Sequence, residues 1–252
     1  MPENPEYLSA ALRSILWPLL SDTGFRRHGE RLFLRLREPF VDAIGVQLSL
    51  YGSGDFFVHF SVRMLANPLL DVDAWRVGKR LSDNRDGGDD RDWNASDARR
   101  AELAVSSVRS ACEERLLEWL DSIVTPADYV FELASDAQRF AENLSGLEAA
   151  VAFAEAGRRQ RAWWICNEIL RQFEAVPAES EEDRLTEQFC RQFIEADERE
   201  QQALAFQSPE AFAPELLEAL AASDGSTAEA ADPEALLQGW RQRNIDRLGL
   251  SA

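Results

Sequence analysis

The sequence is poor in the side chains that most often perform chemistry. It contains three cysteines, two histidines and one lysine, which are Cys112, Cys166, Cys190, His28, His59 and Lys79. The cysteines are too few and too widely spaced for a disulfide framework or a zinc knuckle. Each falls in an apolar helical pattern, where free cysteine usually acts as a small buried hydrophobe. Two histidines leave little material for a metal centre or a catalytic relay.

Catalytic and phosphate-binding motifs are also absent from the sequence. No glycine-rich phosphate loop and no G-x-S-x-G elbow occurs, and residues 51–54 are typical of a hairpin turn. Acidic residues are so abundant that no particular pair indicates paired-carboxylate catalysis. The aspartate-rich residues 82–93 have the composition of a calcium loop, but Arg85 stands two positions after Asp83, where an EF-hand needs a ligand. We predict no enzymatic activity, no cofactor and no metal site.

Long hydrophobic runs and export features are missing too. The apolar stretch of residues 7–20 follows Glu3 and Glu6 and is interrupted by Arg13. A secretory signal instead begins with basic residues and continues with an unbroken apolar run. No later segment reaches the roughly 18 apolar residues that a membrane span requires. The sequence predicts a cytoplasmic protein with reduced thiols and no membrane partner.

Positive charge is scarce relative to negative charge. The chain has 45 acidic and 27 basic residues, which give a formal net charge of −18. Through Val124, 16 basic and 20 acidic residues leave −4, whereas the following 11 basic and 25 acidic residues leave −14. Such a chain repels phosphate backbones and attracts basic surfaces at long range. We expect no direct nucleic-acid binding and a partner with a basic surface.

The first half of the sequence contains a helical pattern followed by strand patterns. Apolar residues recur at helical spacing over residues 5–21. Period-two alternation, typical of strands with one buried face, follows in residues 31–37, 44–51 and 56–64. Short links require an antiparallel meander, with the first helix on its apolar face. A weaker fourth strand is predicted near residues 75–79, and a surface loop over residues 82–96.

The helical period dominates the rest of the chain. The predicted helices cover residues 97–123, 127–144, 147–156, 160–176, 181–206, 209–222 and 233–247. Short links indicate antiparallel neighbours, and residues 221–232 have the composition of a flexible linker. The predicted fold is α+β. Residues 1–124 form an N-terminal helix and a three- or four-stranded antiparallel sheet with a long closing helix. Residues 125–252 form an acidic, all-helical domain of antiparallel helices.

The first half also carries motifs of a known family. They are Gly24-Phe25-Arg26-Arg27-His28-Gly29 at the entry to an aromatic strand, Trp75-Arg76-Val77-Gly78, Asp92-Trp93, and a long helix ending near Trp119-Leu120. In these features residues 5–135 resemble the bacterial domain of unknown function numbered 4304. This family has no established catalytic residues. The resemblance implies a small α+β domain that recurs among immunity proteins encoded beside bacterial polymorphic toxins.

Two surfaces are candidates for partner binding. The first comprises the acidic start of the helix predicted from residue 181 and two tryptophans of the preceding helix: Glu179, Glu181, Glu182, Asp183, Glu187, Trp163 and Trp164. Acids at a helix start are favourable against the macrodipole in any protein, and clustered carboxylates can also steer onto a basic cleft. The second is a polar sheet face with Arg31, Arg35, Arg63 and His59. It either holds an anionic ligand or pairs with the acidic helical half, and the acidity of that half favours internal pairing.

The combined expectation is a non-enzymatic binding protein. We expect a cytoplasmic immunity protein that neutralises a cognate toxin by covering a basic active-site surface. Two alternatives stay open at this point. One is a helical-repeat-like adaptor that binds a host protein segment through Trp163 and Trp164, and the other is a small-ligand-binding domain that uses the arginine-rich sheet face.

Overall fold

The structure, a computed structural model, describes residues 5–49, 54–70, 72, 78–81, 93–135, 146–175, 178–207 and 233–250. Its chain divides into two units. The sheet unit comprises Met1–Met64 and Asp71–Glu132, and the helical unit comprises Leu65–Leu70 and Leu133–Ala252. The fold is α+β with an N-terminal helix, an antiparallel sheet and a helical C-terminal part, as predicted.

The first helix, α1, contains a wider turn ahead of a proline. It consists of three consecutive segments: Pro5–Ala11, the π-helical turn Leu12–Leu16, and Trp17–Asp22. The Trp17 N–H bonds to the carbonyl of Leu12, five residues earlier. A proline inside an ordinary helix lacks its N–H and clashes with the carbonyl four residues before it. Because the π turn re-spaces these groups, α1 continues past Pro18 to Asp22.

Among the described residues, six strands form one antiparallel sheet, where three or four were predicted. They are β1 Arg26–Arg27, β2 Leu32–Arg37, β3 Phe40–Leu48, β4 Asp55–Met64, β5 Gly78–Arg80 and β6 Trp93–Asn94. The order is β1-β2-β3-β4-β5, and β6 pairs with β4 beside β5. The predicted meander is confirmed as β2 to β4. The predicted fourth strand overlaps β5, with residues 75–77 outside the described residues. Of the predicted loop, residues 82–92 also lie outside them, and Trp93–Asn94 is a strand instead.

The register between β2 and β3 places Arg35 on the helix-covered face, contrary to the prediction. Only two residues separate the strands, and Arg35 lies directly opposite Asp42 while Phe33 lies opposite Ile44. Directly opposed residues of antiparallel strands point to the same side. Phe33 stacks on Trp17 of α1, with 6.0 Å between the ring centroids. The set of β2 residues beneath α1 therefore includes Phe33 and Arg35 and excludes the leucines.

A second long helix, α2, covers the same face of the sheet. It consists of Ala98–Ala111, the π-helical turn Cys112–Leu116, and Leu117–Ser122. Asp97 caps its start by accepting the Arg100 N–H at 2.9 Å. Near its end, Trp119 packs edge-on against Phe60 with 5.1 Å between centroids. The predicted long closing helix is confirmed.

The remaining helices follow the predicted helical pattern. They are α3 Pro126–Ser135, α4 Leu147–Glu155, α5 Arg159–Ala175, α6 Glu181–Gln207 and α7 Pro233–Arg247. The predicted continuation of α3 to residue 144, the predicted helix 209–222 and the linker 221–232 lie outside the described residues. None of the described helices combines the length and the apolar composition that a membrane-spanning segment needs.

The segment that follows β4, Leu65–Leu70, belongs to the helical unit. The Asn244 Nδ2 of α7 donates to the carbonyls of Leu65 at 2.8 Å and Asn67 at 2.9 Å. The side chain of Asn67 in turn donates to the carboxylate of Glu148 in α4. These side chains are buried, and buried polar groups are stable only when hydrogen-bonded. The network therefore holds this non-helical segment against α4 and α7.

Candidate functional site

The three thiols are placed for packing. All three cysteines are buried. Burial raises the pKa of Cys112 to about 12. A hydrogen bond with Cys190, followed by burial, raises the pKa of Cys166. A buried protonated thiol is a poor nucleophile and a poor metal ligand. Within the described ranges, no group of three or more His, Cys, Asp or Glu side chains is arranged to hold a metal ion.

Arg35 and Arg37 are engaged by carboxylates of the sheet unit. Asp42, which is fully buried, accepts from Arg35 Nε at 2.7 Å and from Arg37 Nε and Nη2 at 2.7 Å each. Arg35 Nη2 also donates to Asp121 Oδ1 of α2 at 2.7 Å. Arg37 donates to two main-chain carbonyls at the C-terminal end of α2. The prediction that Arg35 finds its counter-ions in the acidic helical half is therefore wrong.

The other members of the predicted polar face lie on a different side of the sheet. In the β3–β4 register, the residue opposite Asp42 is the neighbour of Arg63, so Arg63 and Arg35 point to opposite sides. Arg63 is only 2% exposed. His59 lies on the same side as Arg63, with its Nε2 3.0 Å from Gln47 Oε1. The predicted face of Arg31, Arg35, Arg63 and His59 is therefore not one surface.

The acidic surface, defined as Glu179, Glu181, Glu182, Asp183 and Glu187, surrounds the start of α6. One of its members, Asp183, caps the N-terminus of the helix. The Ser180 N–H donates to Asp183 Oδ2 at 3.1 Å, and the Asp183 N–H donates to Ser180 Oγ at 3.0 Å. Hydrogen bonds from the Ser180 side chain and backbone lower the pKa of Asp183. This reciprocal pair is a capping box.

The other carboxylates of the acidic surface differ in their local partners. Arginines one helical turn later lie 3.4 Å from Glu181 and 2.7 Å from Glu187. Exposed pairs of this kind contribute little to stability and are screened by salt. Glu179 and Glu182 are exposed, and within the described residues no cation pairs with either carboxylate. These two positions carry the least compensated negative charge of the surface.

Trp163 and Trp164 lie on the solvent-facing side of α5. Their side chains are 36% and 45% exposed, respectively. The Arg161 guanidinium lies 4.5 Å from the Trp164 ring centroid and 5.9 Å from that of Phe153 in α4. Tryptophan and arginine are the residue types most enriched at the energetic centres of protein interfaces. The prediction that this part of α5 is available to a partner is compatible with their exposure.

The tryptophans and the acidic surface lie at opposite ends of one helical hairpin. Helices α5 and α6 pack together, and Cys166 contacts Cys190 at positions roughly equidistant from the connecting residues 176–180. This register places the tryptophans level with about Gln192 of α6. At 1.5 Å per residue, that level is roughly 15 Å along the axis from Asp183. The tryptophans therefore lie closer to Glu187 than to the acids at the start of α6.

Two exposed features were not identified by sequence analysis. Arg158 and Arg161 are exposed beside the tryptophans. The signal was present in the sequence, because three arginines fall within residues 158–161 of a half that has 25 acidic and 11 basic residues. Phe131 of α3 is 76% exposed, and its sequence neighbourhood gives no sign of this.

Comparison with protein-family models, with curated proteins and with solved structures finds no match to this chain.

Proposed function

We propose that the protein is a non-enzymatic binding protein, specifically a cytoplasmic immunity protein that neutralises a cognate bacterial toxin by covering a basic active-site surface. The observation that carries this proposal is the start of α6. There Glu179 and Glu182 are exposed, and no cation among the described residues pairs with their carboxylates. The resemblance of residues 5–135 to a domain that recurs among toxin immunity proteins supports a toxin as the partner.

The net charge of the whole chain, like the acidic surface, attracts a basic partner. The net charge is −18, and −14 of it lies beyond Val124. A basic cleft is attracted to such a protein before contact, over about a Debye length of ~8 Å at physiological salt. Complementary charge of this kind mainly raises the association rate and suppresses wrong partners. The carboxylates then take the place of an anionic substrate in the cleft.

The test is co-expression with the toxin-like product of an adjacent gene. We expect the protein to relieve toxicity and to form a complex of roughly nanomolar strength or tighter. The double variant Glu179→Lys, Glu182→Lys should associate at least ~10-fold more slowly at low salt, with the deficit shrinking as salt is added. Persistence of toxicity with the wild-type protein present would contradict the immunity function.

A matched charge reversal separates the surface from net charge. Glu102 and Glu118 of α2 are exposed and lie in the sheet unit. Changing both to Lys alters the net charge by the same amount as the acidic-surface variant. We expect this control to associate nearly as fast as wild type. Equal losses in the two variants would show that overall charge, and not the start of α6, controls binding.

The exposure of Trp163 and Trp164 favours a second candidate, an adaptor that binds a protein segment at the other end of the hairpin. Such binding should quench tryptophan fluorescence and should be unaffected by the reversal of Glu179 and Glu182. The sheet-face ligand site is not proposed, because its four residues do not share a surface.

A further inference from the structure

The start of α5 carries an arginine–tryptophan patch, defined as Arg158, Arg161, Trp163 and Trp164. All four side chains are exposed. The patch lies at the start of α5, whereas the acidic surface surrounds the start of α6, and its charged members are arginines instead of acids. Its chemistry therefore suits a different group on a partner.

The acids nearest to the patch in the sequence are paired with other arginines. The nearest acid before it, Glu155, receives the Arg241 Nε of α7 at 2.8 Å. The nearest acid after it, Glu168, pairs with Arg171 at 3.0 Å. Within the described part of the chain, no carboxylate pairs with Arg158 or Arg161. The patch therefore presents unpaired cations on the half of the chain with the greater negative charge.

The Arg161 guanidinium is held by aromatic rings. It lies 4.5 Å from the centroid of Trp164 and 5.9 Å from that of Phe153. A guanidinium stacked on a ring keeps its in-plane N–H groups available, and their fork matches the two oxygens of a carboxylate. The stacking also reduces the rotamer freedom that the side chain loses when it binds. The geometry pre-arranges a carboxylate-binding group beside two exposed indoles.

We propose that the arginine–tryptophan patch binds an acidic segment of a partner polypeptide, in which an Asp or Glu is adjacent to an aromatic or aliphatic residue. The carboxylate pairs with Arg161, assisted by Arg158. The apolar side chain packs on Trp163 and Trp164, removing the exposed indole surface from water. A single carboxylate recognised at short range suits this arrangement better than a nucleic acid does, because the net charge of −18 repels a polyanion.

The test uses the full-length protein and a fluorescein-labelled Gly-Ser peptide, blocked at both ends, that carries one Asp between two Phe residues. A second peptide carries Asn in place of the Asp. We expect fluorescence anisotropy to show binding of the Asp peptide and at least ~10-fold weaker binding of the Asn peptide, which corresponds to about 1.4 kcal/mol. Arg161→Glu and Trp164→Ala should each weaken binding of the Asp peptide by at least the same factor. The affinity of Arg161→Lys should lie between those of wild type and Arg161→Glu, since lysine keeps the charge and lacks the planar guanidinium.

The matched control is Arg171→Glu. Arg171 is exposed on the same helix and has the same charge, but it is paired with Glu168 and lies outside the patch. We expect this variant to bind the Asp peptide as wild type does. Equal weakening by Arg171→Glu, equal binding of the Asn peptide, or tighter binding of a single-stranded oligonucleotide at the patch would overturn the proposal.

The inference does not depend on the proposed toxin partner. The variant Glu179→Lys, Glu182→Lys should lose toxin association and keep peptide binding, whereas Arg161→Glu should do the reverse. Failure of the Asp peptide to bind wild type overturns the patch proposal alone, and failure to protect cells from the toxin overturns the immunity proposal alone.

Discussion

Arg35 and Asp42 face each other across β2 and β3, with 2.7 Å between Arg35 Nε and Asp42 Oδ2, and both residues are buried. Asp42 also accepts from Arg37, so one carboxylate compensates two guanidinium groups. Buried charges are costly unless they are paired and fully hydrogen-bonded. The cluster is also tied to α2 through Asp121. The arginines of β2 therefore join the sheet to its closing helix, which leaves Arg35 unavailable as a ligand-binding group.

Asp42→Ala should destabilise the sheet unit strongly. The substitution leaves two guanidinium groups without their buried counter-ion, and breaking a buried pair costs about 3–5 kcal/mol. Asp121→Ala is the control, because this partner of Arg35 has a side chain that is 60% exposed and should cost no more than ~1 kcal/mol. Urea denaturation followed by fluorescence measures both free energies of unfolding. If the two variants lose similar free energies of unfolding, burial does not determine how much the Asp42 ion pairs contribute to stability.

Gly54→Ala should be much more destabilising than Gly29→Ala. Both glycines have a positive φ, +75° and +83°. An added side chain costs about 1–2 kcal/mol from backbone conformation alone. At Gly54 the new Cβ would also lie 2.9 Å from the Cα and N of Ser96, whereas nothing lies within 4 Å at Gly29. Urea denaturation should therefore show an additional loss of about 1–3 kcal/mol at Gly54. If the two variants lose equal free energies of unfolding, the backbone at Ser96 shifts away from the new Cβ at no cost in stability.

The sequence predicts which segments are strands and helices more reliably than which strand face is buried. Period-two alternation correctly identifies β2, but Phe33 and Leu34 are both fully buried, so the pattern does not distinguish the two sides. The side is decided by the two-residue link to β3, which sets Arg35 opposite Asp42. A link one residue longer or shorter would change that assignment. Turn length, and not hydrophobicity, determines where the arginines point.

The sequence predicts which residues belong to the candidate site, but it does not predict how those residues are arranged in space. Charge counts locate the acids near Glu181, and the Ser180-x-x-Asp183 spacing is itself a capping signal. The distance between these acids and Trp164 depends on how α5 and α6 align, which follows from the contact between Cys166 and Cys190. No local sequence feature specifies that alignment. Nor does the helical pattern reveal that the acids near Arg161 are already paired elsewhere.

The titration of Glu155 should make the helical unit more stable on acidification. Burial raises the pKa of Glu155, and this effect outweighs the opposing hydrogen bond from Arg241. The folded state therefore binds the proton more tightly than the unfolded state does. This contribution is full below the unfolded pKa and is lost as pH rises through the folded pKa.

Glu155→Gln removes this titration. The free energy of unfolding of wild type minus that of the variant should fall as pH rises from below the ordinary value of 4.5 to neutral. Urea denaturation at a series of pH values measures the difference, and an NMR titration of the Glu155 carboxyl checks the shift directly. A difference that increases with pH would mean that Arg241, and not burial, dominates the environment of Glu155.

Ser180→Ala should return the pKa of Asp183 toward its ordinary value of 3.8, because the hydroxyl bond and the ordered cap that lower it are lost. In wild type, the stabilisation from Asp183 is present above the unfolded pKa and is lost as pH falls through the lowered folded pKa. An NMR titration of the Asp183 carboxyl measures the shift.

Asp128 provides an internal control in the same spectrum. It forms the same capping arrangement with Thr125 at the start of α3, where hydrogen bonds from Thr125 lower its pKa. Its titration should not change in Ser180→Ala. If the pKa of Asp183 is the same in Ser180→Ala as in wild type, the capping role of Ser180 is contradicted. If the pKa of Asp183 rises while association with the proposed toxin partner stays fast, the proposed contact depends on Glu179 and Glu182 and not on an ordered start of α6. If association slows as well, the cap positions those carboxylates for the proposed partner.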